Sequence, residues 1–200
     1  MGFIIVIFLD MEHLKDAKIT ISLVFLNIVS FLVFNLALPV QYLLFFVQIN
    51  RNIVNNYEIW RLITPIFFHA NELHLFSNLI ALLLFGATVE TNQKLSKLEF
   101  LLIYFISGFI GNLFSLFLLP FDAISLGASG AIFGLIGVAL IMVMIDNRAL
   151  LPFALLYIGY FIIASFMPGI NIWAHIFGLL VGLLLGYLFY YRKNRFTISY

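Results

Sequence analysis

Four polar side chains stand out in an otherwise apolar chain: Ser129 in Gly127-Ala128-Ser129-Gly130, His175 after Ala174, and His74 with Asn78 four residues on. A serine hydroxyl becomes a nucleophile when a base takes its proton, and a neutral histidine suits that task near neutral pH. Attack on a carbonyl creates an oxyanion, which needs donors aimed at it where water is scarce. His74 and Asn78 would share one helix face, and the backbone N–H groups that open a helix at Ser129 have no partners within that helix. The chemistry expected is acyl transfer, with Ser129 as nucleophile, His175 as base, and His74 and Asn78 at the oxyanion. Singly, each residue has a plainer reading as an interhelical packing or hydrogen-bonding group; joint placement is what argues for chemistry.

These groups need elements to hold them, and composition says what kind. The chain has 200 residues, 64% hydrophobic and 10% charged, where soluble domains carry roughly a quarter charged. A multi-pass membrane protein follows. A formal charge of +1 gives no reason to expect a nucleic-acid partner, and the absence of cysteine removes disulfides, thiolate metal sites and a cysteine nucleophile together.

Residues Met1–Leu9 are apolar but too short to span, which suggests an interfacial anchor. After a polar stretch, Ile19–Leu38 supplies about the 20 residues that a bilayer core requires, and Pro39 ends it. From Val40 to Ala70, aromatic segments interrupted by Pro and Asn suggest a structured connection at the interface. Spans are then expected at Leu73–Glu90, Glu99–Leu119, Ala128–Met144, Leu150–Phe166 and Ile172–Tyr190. Each must be helical, because backbone in hydrocarbon has to satisfy its own hydrogen bonds.

The expected fold is therefore an all-α bundle of six transmembrane helices forming one domain over residues 19–190. Residues 1–18 form a short N-terminal segment and 191–200 a tail. Eight basic residues (Lys15, Lys18, Lys94, Lys97, Arg148, Arg192, Lys193, Arg195) fall on the terminal side against Arg51 and Arg61 opposite, so both termini are expected in the cytoplasm.

In that topology the second, fourth and sixth spans all begin on the outer side. Their first turns carry His74 and Asn78, Ser129, and His175, so three helices deliver these groups to one depth. Polar groups at such a place are functional candidates. Gly178, Gly182 and Gly186 follow His175 on its own face, and Gly130, Gly134 and Gly137 follow Ser129. Two small-residue faces allow close approach, which brings the serine within reach of the histidine. The outer-side carboxylates Glu58, Glu72 and Asp122 are not placed beside His175 by sequence, so a dyad is expected.

A metal site is disfavoured. In His69-Ala-Asn-Glu72-Leu-His74 the histidines are five apart, about 140° around a helix, whereas zinc ligands at i and i+4 share a face. No cofactor is expected.

With Glu58-x-Trp60-Arg61, His74-x-x-x-Asn78, Gly127-x-Ser129-Gly130 and Ala174-His175-x-x-Gly178-x-x-x-Gly182 in this order, the chain resembles the rhomboid intramembrane serine proteases in their short six-helix form. The resemblance implies a Ser129/His175 dyad in a water-filled cavity open to the outer side of the cell membrane, with His74 and Asn78 near the oxyanion. It implies structural roles for Glu58, Trp60 and Arg61 and a hydrogen-bonding role around the loop for His69. Phe133 stands where many bacterial members carry a tyrosine stacked on the histidine. Expected partners are lipid and single-pass membrane proteins cut near the outer end of their transmembrane helix. The fifth span and Met167-Pro168-Gly169-Ile170-Asn171 resemble the family's gate and cap. Two other readings are a rhomboid-like client-binding protein without proteolysis, whose members typically lack the serine or the histidine, and a transporter. The transporter reading is disfavoured by inner span halves almost free of ionisable residues.

Overall fold

Pro39 sets the first boundary of the fold: the residue before it is extended (Leu38 φ −106, ψ 153), and the helix that precedes it closes with a widened turn in which Leu38 N–H reaches Val33 O at 2.9 Å. The structure, a computed structural model, describes residues 11–167 and 169–192. The expected N-terminal anchor, Pro168 of the expected cap and the tail 193–200 lie outside the described residues.

A short helix α1 (Met11–Asp16) leads into α2 (Lys18–Ala37). Next come α3 (Val40–Phe46), β1 (Gln48–Ile49), α4 (Asn50–Asn56) and two tight turns, Ile59–Leu62 and Thr64–Phe67. Then follow α5 (Glu72–Glu90), α6 (Lys97–Leu118), β2 (Ile124–Ser125), α7 (Ser129–Asp146), α8 (Leu151–Ala164, after a turn at Arg148–Leu150) and α9 (Ile172–Tyr191). Helices α2, α5, α6, α7 and α9 are long and apolar enough to cross a membrane, and α8 with its leading turn is shorter. Large apolar side chains on their outer faces, such as Phe25 (67% exposed) and Leu156 (73%), would be untenable in water and suit lipid.

Helix starts are secured by side chains. Asn71 accepts from His74 N–H at 2.9 Å, Ser96 and Glu99 form a reciprocal capping box, and Asn171 accepts from Ala174 N–H at 3.1 Å. The open amides of α2 are served from another element: the fully buried Glu90 carboxylate accepts from Ile19 N–H (2.9 Å) and Thr20 N–H (2.6 Å), and Lys97 donates to it at 2.9 Å. An anion at a helix N-terminus is favourable, and it ties the start of α2 to the end of α5.

α7 is the axis of the bundle, buried without interruption from Gly130 to Ala139. A helix apolar all round belongs in the interior. It is pressed against α9 and α6 through glycines: a methyl on Gly178 would overlap the Gly130 carbonyl, one on Gly182 the Gly134 carbonyl, and one on Gly134 the Ser107 side chain of α6.

Candidate active site

The segment between α2 and α5 is tied to the chain leading into α7, and Arg61 holds it. Its buried guanidinium donates to the Leu44 and Val47 carbonyls at the end of α3 and pairs through Nε with Glu58. Glu58 also accepts from Asn52 (3.2 Å) and Asn56 (3.3 Å). Desolvation opposes the Glu58 charge, but the hydrogen bonds from Arg61, Asn56 and Asn52, with the Arg61 charge, hold its carboxyl below the ordinary value of 4.5. Trp60 Nε1 donates to Phe45 O at 3.1 Å and its ring stacks on Phe45. The segment is joined to the α6–α7 connection by β1 and β2, antiparallel with Gln48 opposite Ser125, and by Gly127 N–H donating to Pro65 O at 3.0 Å.

Gly127 then turns the chain into α7 with φ +132, a conformation that side chains rarely adopt. A Cβ there would lie 2.8 Å from His74 Cε1 and Nε2 and 3.7 Å from Ser129 Oγ. The hydrogen of this glycine thus leaves open the space between the α5 imidazole and the serine. Ser129 is half-buried at the first position of α7.

Its hydroxyl lies 2.7 Å from His175 Nε2 on α9. The imidazole is buried (8% exposed) and stacks on Phe133, with ring centroids 4.3 Å apart and planes inclined at 12°. Phe133 is one helical turn beyond Ser129, so the serine and the ring that stacks on His175 are fixed by the same helix. The contact depends on the glycine seam beside it: Gly130 directly follows Ser129, Gly178 lies about one turn inward from His175, and there the two backbones touch.

His74 Nδ1 accepts from Ala70 N–H at a long 3.5 Å, which leaves the hydrogen of the neutral ring on Nε2, the edge facing Gly127. Asn78 is buried, and one of its amide hydrogens goes to His74 O at 2.8 Å; the second is not used in that bond. His69 is fully buried with its ring 5.1 Å from that of His74, and burial, with the His74 charge, pushes its pKa down to about 3. Hydrogen bonding at His69 runs through its backbone carbonyl, which accepts from Asn35 Nδ2 at 2.9 Å, while neither ring nitrogen has a partner among the described residues.

Two residues near the dyad were not singled out by sequence reasoning. Asn171, besides capping α9, donates to Ser115 Oγ (2.8 Å) and Ser125 Oγ (3.0 Å), tying the start of α9 to α6 and β2. Its N-cap position ahead of an apolar run is the signal that could have found it. Ser165, buried in the turn after α8, lies 2.6 Å from His175 Nδ1; nothing in its sequence neighbourhood points to the histidine.

Comparison with known proteins identifies the family. The family model described as Rhomboid domain matches residues 56–192. A Bacillus subtilis (strain 168) protein named as a rhomboid protease, YdcA, is 42% identical over 147 residues, 71% of this chain and 73% of that one. RHOMBOID-like protein 1 of Arabidopsis thaliana is 37% identical over 149 residues, and Rhomboid-like protease 3 of Toxoplasma gondii 42% over 83 residues. The matched part is 71% of this chain but 37% of the plant protein, and 42% of this chain but 30% of the parasite protein. The match covers the Glu58-to-Arg61 strut, the α5 imidazole and amide, and the α7–α9 seam under Ser129 and His175, and the chain belongs to the rhomboid family.

Proposed function

We propose that this protein is an intramembrane serine endopeptidase that hydrolyses peptide bonds in or near the outer ends of transmembrane segments of other membrane proteins. The observation that carries the reading is the 2.7 Å approach of Ser129 Oγ to the buried, ring-stacked Nε2 of His175. A protein that only held membrane clients would have no need of a hydroxyl and an imidazole at that distance.

His175 Nε2 takes the Ser129 proton as Oγ attacks the scissile carbonyl. The oxyanion is met by the His74 Nε2–H, the free Asn78 amide hydrogen and the open backbone N–H groups at the start of α7. His175 passes its proton to the departing amine, leaving an ester on Ser129. Water attacks that ester with the same imidazole as base, and the serine is regenerated. A peptide bond within an intact helix is shielded by its own hydrogen bonds, so segments with small or helix-breaking residues at the cut are preferred.

In the membrane, α8 with its leading turn makes the sixth crossing. Both termini then face the cytoplasm of a cell membrane, and the site opens on the outer side. The fluorophosphonate test is direct: the probe labels Ser129 in the wild type and fails to label His175→Ala. Equal labelling of the two would remove the histidine as base.

A further inference from the structure

For His175 Nε2 to accept the Ser129 proton, the single hydrogen of the neutral ring must sit on Nδ1. In serine–histidine–carboxylate sites a carboxylate accepts that hydrogen and so fixes the tautomer and the ring's aim. Here both partners of the ring are hydroxyls, Ser129 on Nε2 and Ser165 on Nδ1.

Ser165 is built to act as an acceptor. It is 3% exposed, and its Oγ lies 2.7 Å from the carbonyl oxygen of Phe161, one turn back in α8, and 2.6 Å from Nδ1. A carbonyl can only accept, and a hydroxyl has one hydrogen. Once that hydrogen is given to Phe161 O, the remaining lone pairs of Oγ face Nδ1, and the bond between them requires Nδ1–H. The opposite assignment would place the ring hydrogen on Nε2, against the Ser129 hydroxyl, and disable the base.

We infer that Ser165 is the positioning residue of this site: a neutral hydroxyl on the end of α8 that locks His175 in the Nδ1–H tautomer and aims Nε2 at Ser129. Nucleophile, base and positioning group thus arrive from α7, α9 and α8 in turn. The inference rests on the Ser129/His175 reading for its consequence in catalysis, but the tautomer is measured without turnover.

The chain has four histidines, so ring signals of ¹⁵N-histidine protein in lipid can be assigned by comparison with His175→Asn. The wild type shows His175 as the Nδ1–H form. In Ser165→Ala the signal moves to Nε2–H or a mixture, and kcat on a single-pass model substrate falls about 10- to 100-fold with KM unchanged, as expected for a buried donor stripped of its acceptor. Ser165→Thr, which keeps the hydroxyl, restores both. An Nε2–H ring in the wild type overturns the inference, as does Ser165→Ala with wild-type kcat, or with reduced kcat and an unmoved tautomer. Failure of the protease reading would show separately, as wild-type Ser129 inert to fluorophosphonate.

Discussion

Replacing Gly178 by alanine adds a single methyl group, yet it should disable the site. The added Cβ would lie 3.0 Å from the Gly130 carbonyl carbon and 3.3 Å from its Cα, and closer still to its oxygen. All three are backbone atoms of a buried helix and cannot swing aside. Ordinary carbon–carbon contact is about 3.5–4.0 Å and the oxygen overlap is worse than either carbon contact, so α7 and α9 must separate by about 1 Å at this level. On the same two helices Ser129 directly precedes Gly130, and His175 lies about one turn before Gly178. The 2.7 Å contact between Ser129 and His175 therefore stretches to about 3.7 Å, beyond the limit of a hydrogen bond. A misplacement of about 1 Å can cost 10²-fold in rate, and overpacking costs about 1–3 kcal/mol of stability. Gly159→Ala is the control, because nothing lies within 4 Å of that position on α8. It should leave activity intact and hold or raise stability by up to about 1 kcal/mol. Both variants are compared with wild type in liposomes, by cleavage of a single-pass substrate and by thermal unfolding. Wild-type activity and stability in Gly178→Ala would refute the claim that this seam sets the dyad distance.

Two other perturbations probe the surroundings. Asn78→Ala removes one of several oxyanion donors, so kcat should drop by the equivalent of about 1–3 kcal/mol without vanishing; an unchanged kcat would exclude Asn78 from that role. The Glu58 carboxyl is held below its ordinary value of 4.5 in the folded protein, so it contributes stability above that pH, and the contribution is lost as pH falls through the lowered folded value. Thermal unfolding temperature should therefore decline on acidification below about pH 4.5 in the wild type and decline less in Glu58→Gln. Parallel profiles would show that the Glu58–Arg61 pair does not carry the effect.

Much of this arrangement could be read in the sequence, for reasons that differ by element. The long spans are legible because hydrocarbon demands about 20 apolar residues in a row, and the boundaries at Pro39 and Ser129 are set by local backbone chemistry. The seam between α7 and α9 is legible because a four-residue glycine spacing puts the gaps on one helix face. The β1–β2 pairing is not, since two residues carry no period to detect. Nor is the Glu90 cap on α2, which joins amides and a carboxylate some 70 residues apart (Thr20 to Glu90, |i−j| = 70). Ser165 stayed hidden for a related reason. A lone serine in a helix usually bonds back to its own i−4 carbonyl, as Ser165 does, and only the docking of α8 on α9 presents its remaining lone pairs to the imidazole.

The central claim is that Ser129, activated by His175, cleaves a peptide bond. The most direct measurement reconstitutes wild type, Ser129→Ala and His175→Ala in liposomes with a single-pass substrate bearing Gly and Ala near its outer boundary, and identifies the products by mass spectrometry. Wild type should yield two fragments cut near that boundary and both variants intact substrate, with all three proteins folded. The same fragments from either variant would contradict the claim.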